Sequence, residues 1–228
     1  MLTIQNERLR QTIRWAVPFV LIPLLALAGA YAADERRVLV LAVAAAALSL
    51  LLFAAGFERR RTGTRRIVIV AVMTALCFAG RFLPILKPIQ ALTILTALYI
   101  GREAGFLVGA LSAVLSNLYF GQGPWTVFQM LAWGLIGYFA GILAEPLKRR
   151  RAALLVYGIV CGVLYSFIMD IWTVLWDAGT FVPKLYLAAL VTAIPYTVSY
   201  VLANVLFLTV LARPFGEKLE RIRVKYGV

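Results

Sequence analysis

Long apolar segments recur along this chain, and they limit the folds open to it more than any other feature. The chain has 228 residues, 63% of them hydrophobic, and its mean hydropathy is +0.90. Apolar runs of about 18 residues or more are typical of helices that cross a bilayer. The first run begins near Thr12, lacks the short apolar region of a signal peptide and is followed by a second span, so no cleaved leader is expected. The sequence predicts an all-α integral membrane protein.

The sequence contains eight apolar segments that predict helices, and charged segments group them into regions. The predicted helices cover residues 12–33, 38–57, 66–83, 88–100, 104–119, 125–144, 152–176 and 185–212. A basic loop, "ERRRTGTRR", separates the first two helices from the other six. We therefore expect a two-helix N-terminal extension (1–57), a basic cytoplasmic linker (58–66), a six-helix unit (67–213) and a basic cytoplasmic tail (214–228).

The net charge is +13, and the distribution of the positive charges indicates how the chain is oriented in the membrane. Such a balance could serve nucleic-acid binding, but the charges lie in short loops between spans, where the positive-inside rule applies. Of the 23 lysines and arginines, all but five lie on one side of the predicted spans; those five are Arg36, Arg37, Arg81, Lys87 and Lys184. Both termini are therefore expected in the cytoplasm, with no nucleic acid among the partners. The loops "RFLPILKPIQ", "FGQGPW" and "WDAGTFVPK" would face outward.

The fourth segment, 88–100, is too short to cross a membrane by itself. At about 1.5 Å per residue it covers roughly 20 Å, whereas the hydrocarbon core is roughly 30 Å thick. Pro84 and Pro88 interrupt regular helix just before it. Irregular backbone at membrane depth is tolerated only against protein or a cavity. We therefore expect a cavity at the outer face of the six-helix unit, roofed by the outer loops.

One outer loop is unusually rich in amides and aromatic rings. The segment "SNLYFGQGPWTVFQM" carries Asn117, Phe120, Gln122, Trp125 and Gln129 around a Gly-Pro turn. Such groups can orient a flat, partly polar ligand, since rings supply apolar area and amides fix its direction. The amides could equally hydrogen-bond neighbouring helices, and the aromatic residues could anchor the helix ends at the lipid interface.

Five further residues are candidates for the same site. Asp170 lies within an apolar span, where an ionisable group is costly and by default a functional candidate. Lys87 and Gln90 border the proline-rich loop, and Tyr200 and Asn204 lie one turn apart in the last span. The alternatives are an interhelical pair for Asp170 or Asn204, and a snorkelling cation or a solvated amide for Lys87 and Gln90.

The sequence lacks the marks of an enzyme or a metal protein. It has no histidine, the commonest general base and metal ligand, and no HExxH, GxSxG or Walker A motif. Cys77 and Cys161 lie inside apolar spans, where packing is the expected role. We expect no catalytic residue, no metal site and no cofactor. Because no ATP-binding segment is present, energy for uphill transport would have to come from ions or from partner subunits.

Small residues repeat at helical spacing in several spans. Ala71, Ala75 and Ala79 form a stripe in the first helix of the six-helix unit, and such stripes let another helix approach closely. A second set of stripes is made of glycines and is expected to pack internally: Gly101, Gly105, Gly109, Gly137 and Gly141.

Residues 66 to about 213 resemble the substrate-binding S components of energy-coupling-factor (ECF) transporters. The resemblance rests on six helices with cytoplasmic ends and on Ala71-Val72-Met73-Thr74-Ala75, which looks like the AxxxA motif of the family. The segment 105–141 looks like the subgroup of S components linked to cobalamin or related corrinoids. The first two helices, 1–57, depart from the usual six.

This resemblance implies a role and a set of partners. Ala71 and Ala75 would contact the transmembrane T component, which works with a pair of ATPases in the prokaryotic cytoplasmic membrane. A vitamin-sized ligand, with a corrinoid as the first expectation, would sit near the outer face under the loop after the first helix. A flavin or a queuosine precursor would also suit the aromatic and amide groups.

Two other functions stay open at this point. The protein could be a stand-alone secondary carrier, for which Asp170 is the one plausible titrating group deep in the membrane. It could also be a non-transporting assembly protein of the cell envelope, in which case the outer loops would be incidental.

Overall fold

The structure, a computed structural model, describes residues 6–31, 34–56 and 63–226, and all the regular structure in these ranges is helical. The helices are α1 (Glu7–Ala16), α2 (Ile22–Ala30), α3 (Glu35–Ala55), α4 (Gly63–Gly80), α5 (Ile89–Ile100), α6 (Arg102–Phe120), α7 (Trp125–Ile142), α8 (Ala144–Arg149), α9 (Arg151–Ala178), α10 (Pro183–Thr192) and α11 (Ile194–Tyr226). A π-helical turn, Val17–Leu21, joins α1 to α2. The predicted all-α class is confirmed for these ranges.

Six helices of the described ranges are long and apolar enough to cross a membrane. They are Glu7–Ala30, Arg36–Ala55, Arg102–Phe120, Trp125–Ile142, Arg151–Ala178 and Ile194–Lys225. The helix Ile89–Ile100 is apolar but shorter, as the sequence predicts.

The connections fall at two opposite ends of the bundle. One end, here called the loop end, carries residues 81–88, 121–124 and 179–182. The other, called the basic end, carries α8, the connection at Gly101 and the end of α11. By the positive-inside argument the loop end is the predicted outer face.

The short helix α5 lies in the middle of the bundle. It packs against α4, α6, α7, α8, α9 and α11, and every residue except Tyr99 is buried. Protein surrounds it, so its length need not match the bilayer. Gly101, with φ of 109°, ends α5 and lets α6 turn back at once, a backbone conformation that glycine adopts most easily.

Helices α6 and α7 approach each other closely through glycine. A Cβ atom on Gly109 would lie 2.4 Å from the carbonyl oxygen of Trp133, and one on Gly137 would lie 2.4 Å from Gly105. A side chain at either position would force the backbones apart. The glycine stripes therefore pack internally, as predicted.

The last predicted span, 185–212, is two helices in the structure. Helix α10 ends at Thr192, and α11 begins at Ile194 with Pro195 in its first turn. Pro195 has no N–H to donate to α10 and its ring would clash with the carbonyl one turn back, which favours a break here, although α11 itself accommodates Pro214 further along. Helix α11 then runs on to Tyr226, so most of the predicted tail is helical.

The N-terminal helices pack along α6 and α7. Tyr138 on α7 donates its hydroxyl to the carbonyl of Arg14 (2.9 Å), and Gly29 lies against the backbone of Pro124 at the loop end. Helix α4 begins at Gly63, inside the predicted linker, whose residues 58–62 lie outside the described ranges. That the extension is separable from the rest stays a prediction.

The same packing forms a charged cluster at the basic end. The carboxylate of Glu103, 5% exposed, lies 2.9 Å from Arg14 Nε, 3.1 Å from Arg102 Nε and 3.9 Å from Arg66 Nη2. These four residues, the Glu103 cluster, come from α1, α4 and α6. The cluster therefore ties the N-terminal extension to the six-helix unit.

Candidate functional site

The loop after α4, residues 81–88, folds back over the end of its own helix. The N–H of Arg81 still donates to the carbonyl of Phe78 (3.1 Å), so the chain leaves the helix through a turn. Pro88 then packs on Gly80, where a Cβ atom would lie only 2.5 Å from the proline ring. This fold holds Arg81 against α6, and the carbonyl of Ile85 further along the loop accepts a hydrogen bond from Ser199 on α11 (3.0 Å).

Arg81 is the centre of a polar and aromatic cluster at the loop end. Its Nη1 donates to Ser116 Oγ (2.6 Å) and to Asn117 Oδ1 (2.5 Å), both on α6. Its guanidinium lies 4.9 Å from the ring centre of Phe120 and 5.8 Å from that of Trp133. Contacts of this kind stabilise a cation by roughly 0.5–2 kcal/mol each.

The amides of the aromatic loop form one connected chain. Asn117 Nδ2 donates to Gln129 Oε1 (2.9 Å) and to Thr126 Oγ1 (2.9 Å). The Thr126 hydroxyl donates to Gln122 Oε1 (2.8 Å), and Gln122 Nε2 donates to the carbonyl of Val114 (3.1 Å). These bonds join α6, the 121–124 turn and α7. They are the interhelical hydrogen bonds that the sequence left open as an alternative for these amides.

An aromatic stack continues the cluster toward α9 and α11. Gln129 Nε2 donates to the Tyr165 hydroxyl (3.0 Å). The rings of Trp133 and Tyr165 are stacked, with centres 5.8 Å apart and planes 17° from parallel. The ring of Tyr200 lies 4.5 Å from that of Tyr165. We define the Arg81 cluster as Arg81, Ser116, Asn117, Phe120, Gln129, Trp133, Tyr165 and Tyr200.

A second pair of amides lies buried between α5 and α11. Asn204 Nδ2 donates to Gln90 Oε1 (2.6 Å) and to the carbonyl of Gly158 (2.8 Å). Gln90 Nε2 and Asn204 Oδ1 have no hydrogen-bond partner among the described residues, and the same holds for Thr93 Oγ1 and Trp133 Nε1. A buried polar atom without a partner costs about 1–3 kcal/mol. The hydrogen-bonding capacity of these four buried atoms is thus unused within the described ranges.

Three of the predicted binding residues lie outside these groups. Asp170 on α9 is 7% exposed, and its Oδ2 has no partner among the described residues. The ring of Trp125 meets the edge of Trp172, also on α9, at 5.6 Å. Lys87 is half-buried in the loop that follows α4. None of the described hydrogen bonds or ion pairs joins them to the Arg81 cluster, so their role in binding stays a prediction.

The other predicted binding residues are brought together. Asn117, Phe120, Gln129 and Tyr200 belong to the Arg81 cluster, and Gln122 joins it through Thr126. Gln90 and Asn204 bond each other.

Sequence reasoning missed three central members of the cluster. Trp133 and Tyr165 lie in apolar runs, where an aromatic ring is ordinarily a packing residue. Arg81 belongs to the few cations of the predicted outer side and is absent from the predicted binding residues. Its position in the sequence could have identified it. Arg81 lies at the end of a predicted helix, in a loop on the same side as the amide-rich turn and with few other cations.

The alanine stripe faces away from the bundle. Ala71 and Ala75 are exposed on α4, whereas Met73, Thr74 and Cys77 on its other face are buried. The side of α4 that carries the stripe is therefore open to lipid or to another helix.

Comparison with known protein families relates most of the chain to a transporter family. Residues 61–221 match the model of a family described as "ECF-type riboflavin transporter, S component". No curated protein matches the chain. No solved structure matches it either.

Proposed function

The chain belongs to the family of S components of ECF-type riboflavin transporters, and from this premise we propose that it binds a flavin at the loop end of the bundle for uptake. S components are transport subunits of the membrane and not enzymes; the family implies a T component, ATPase partners and a small vitamin as substrate. The predicted membership among S components is confirmed. The match does not support the corrinoid-linked subgroup.

The unpartnered amide atoms of Gln90 and Asn204 carry the proposal of a flavin, because Asn204 lies one helical turn from Tyr200, whose ring contacts Tyr165 of the aromatic stack. A flavin ring is flat and aromatic, and one edge alternates carbonyl acceptors with an N–H donor. Gln90 Nε2 offers a donor, and Asn204 Oδ1, in the adjoining side chain, offers an acceptor. Trp133 and Tyr165 supply rings for stacking. A ligand whose edge matches these atoms would gain binding free energy, because it would form the hydrogen bonds that they otherwise lack.

A corrinoid and a queuosine precursor are the competing ligands. A corrinoid is much bulkier than a flavin, and the residues of the Arg81 cluster already contact one another closely. A smaller planar molecule needs less displacement of these side chains. This favours the flavin over the corrinoid.

Coupling to the partner subunits is proposed to use the alanine stripe. Ala71 and Ala75 are exposed on α4 and have no bulky side chain to hold a second helix away. Association within lipid depends on close van der Waals contact, because hydrophobic burial gives little drive there. The T component is the partner that we assign to this face.

Titration of the full chain with riboflavin in detergent tests the proposed function. Binding is measured by the quenching of flavin fluorescence, with hydroxocobalamin titrated in parallel by calorimetry. We expect riboflavin to bind, and Asn204→Leu to weaken it by about tenfold, since this change removes an acceptor and the donor to Gln90. Gln11→Leu, which alters an exposed amide of α1, is the control. Binding of cobalamin without binding of riboflavin would reject the flavin.

A further inference from the structure

Arg81 differs from three other cations that lie over aromatic rings in the described ranges. Arg66, Arg102 and Lys148 also lie over rings, and each has a carboxylate partner as well: Glu103 for both arginines and Glu145 for the lysine. Arg81 lies over two rings and forms none of the described ion pairs. Its charge is thus held by neutral groups alone.

The hydrogen bonds of Arg81 leave part of its guanidinium unused. Both described side-chain bonds come from Nη1, to Ser116 and Asn117. Nη2 and Nε donate none of the described bonds. A guanidinium has five N–H donors in a planar fork that matches the oxygens of a phosphate or a carboxylate. The unused donors lie beside the aromatic stack proposed to hold the flavin ring.

A second cation lies nearby without an acid. Lys87, in the same 81–88 loop, makes none of the described ion pairs or hydrogen bonds. Burial, and after it the charge of Arg81, lower the pKa of Lys87 below its ordinary value. Two like charges that repel each other are stabilised together when an anion lies between them.

We propose that Arg81 and Lys87 receive an anionic group of the substrate, so that this chain prefers a flavin carrying a phosphate ester to the neutral vitamin. The proposal rests on the proposed function and narrows its substrate class. The ring would lie on the Trp133–Tyr165 stack, and the phosphate would take the unused donors of Arg81. Charge-assisted bonds of this kind are roughly twice as strong as neutral ones.

The test compares riboflavin with riboflavin 5′-phosphate on the full chain in nanodiscs of zwitterionic lipid. We expect the phosphate ester to bind about tenfold more tightly, and its advantage to shrink at high salt. Arg81→Gln should abolish the preference, so that the two flavins bind with affinities within about threefold of each other. Lys87→Gln should remove part of it. Lys184→Gln, which changes an exposed cation at the same end, should leave it intact.

Further variants and lipids separate the outcomes. Arg81→Lys keeps the positive charge but loses the planar fork of donors, so it should retain part of the preference. This variant also provides a test if Arg81→Gln fails to fold. A wild-type chain that binds riboflavin as tightly as the ester overturns the proposal, and so does a preference that survives both Arg81→Gln and Lys87→Gln. If the substitutions change binding only in nanodiscs with phosphatidylglycerol, the cations serve lipid phosphate and the proposal is also overturned. Absence of binding by either flavin would instead reject the proposed function.

Discussion

The two ends of the bundle surround a charged side chain in opposite ways, with Glu103 buried at one end and Arg81 half-buried at the other. At the basic end, Glu103 is surrounded by three arginines from three helices. At the loop end, Arg81 has two neutral acceptors, two aromatic rings and no carboxylate among its described contacts. The first arrangement pairs its carboxylate with three cations and holds helices together. The second leaves donors and charge available, which is what a binding site needs.

The same contrast separates two groups of amides within the loop end. Asn117 uses its oxygen and both N–H groups inside the protein, so it serves to fix α6 against α7. Gln90 and Asn204 satisfy each other only in part. Amide-rich loops therefore need not be binding surfaces at every position: the amides with atoms left over are the better candidates.

The largest expected effect separates coupling from binding. Ala71→Trp or Ala75→Trp should reduce uptake to background in cells that contain the T component and the ATPases, because a bulky side chain keeps the partner helix away from α4. Flavin binding by the purified variants should persist, since the Arg81 cluster lies beyond the far end of that helix. Uptake of labelled flavin and binding in detergent are measured on the same variants.

Ala188→Trp, at an exposed alanine on α10, is the control for the effect of a new tryptophan in lipid. Normal uptake by the α4 variants would remove the assignment of this face to coupling. Loss of binding together with uptake would mean that α4 also supports the loop end.

The second largest effect, on the stability of the protein, is expected from the Glu103 cluster at the basic end. Glu103→Gln keeps the shape of the side chain and leaves three arginines without their carboxylate. We expect the free energy of unfolding to fall by about 3 kcal/mol, since breaking a buried pair leaves uncompensated charge. Chemical unfolding in detergent, followed by tryptophan fluorescence, measures it.

Glu145→Gln is the matched control, because this glutamate is fully exposed and its partners Lys148 and Arg149 belong to its own helix. Removing this charge should leave the free energy of unfolding unchanged. The comparison of the two ends would fail if Glu103→Gln abolished flavin binding while the stability of the protein stayed unchanged.

The smallest expected effect concerns Asp170. This residue is buried in α9, but none of the described bonds links it to the Arg81 cluster. Asp170→Asn should change flavin affinity by less than about threefold, and ATP-driven uptake should continue. A larger loss of affinity would support the predicted place of Asp170 in the binding site. Uptake that needs this carboxylate and a proton gradient, with no ATPase present, would favour the stand-alone carrier.

Patterns along the chain were enough to predict the class of the protein and much of its helical layout. Runs of apolar residues predicted helices in a membrane, because a helix pairs its own backbone groups where lipid cannot. The spacing of Ala71 and Ala75 placed both on one side of α4, since residues four apart share a helical face. Pro84 and Pro88 marked the interrupted backbone ahead of α5. All of these inferences depend on residues near one another in the chain.

The tertiary structure alone decided which polar groups meet. Gln90 and Asn204 are 114 positions apart, and Arg81 and Asn117 are 36 apart, so only the packing of helices brings each pair together. The same packing determines that Asn117 is satisfied while Asn204 keeps a free acceptor. No local pattern contains this, because a hydrogen bond between distant segments depends on distances of a few tenths of an ångström that the relative positions of whole helices set.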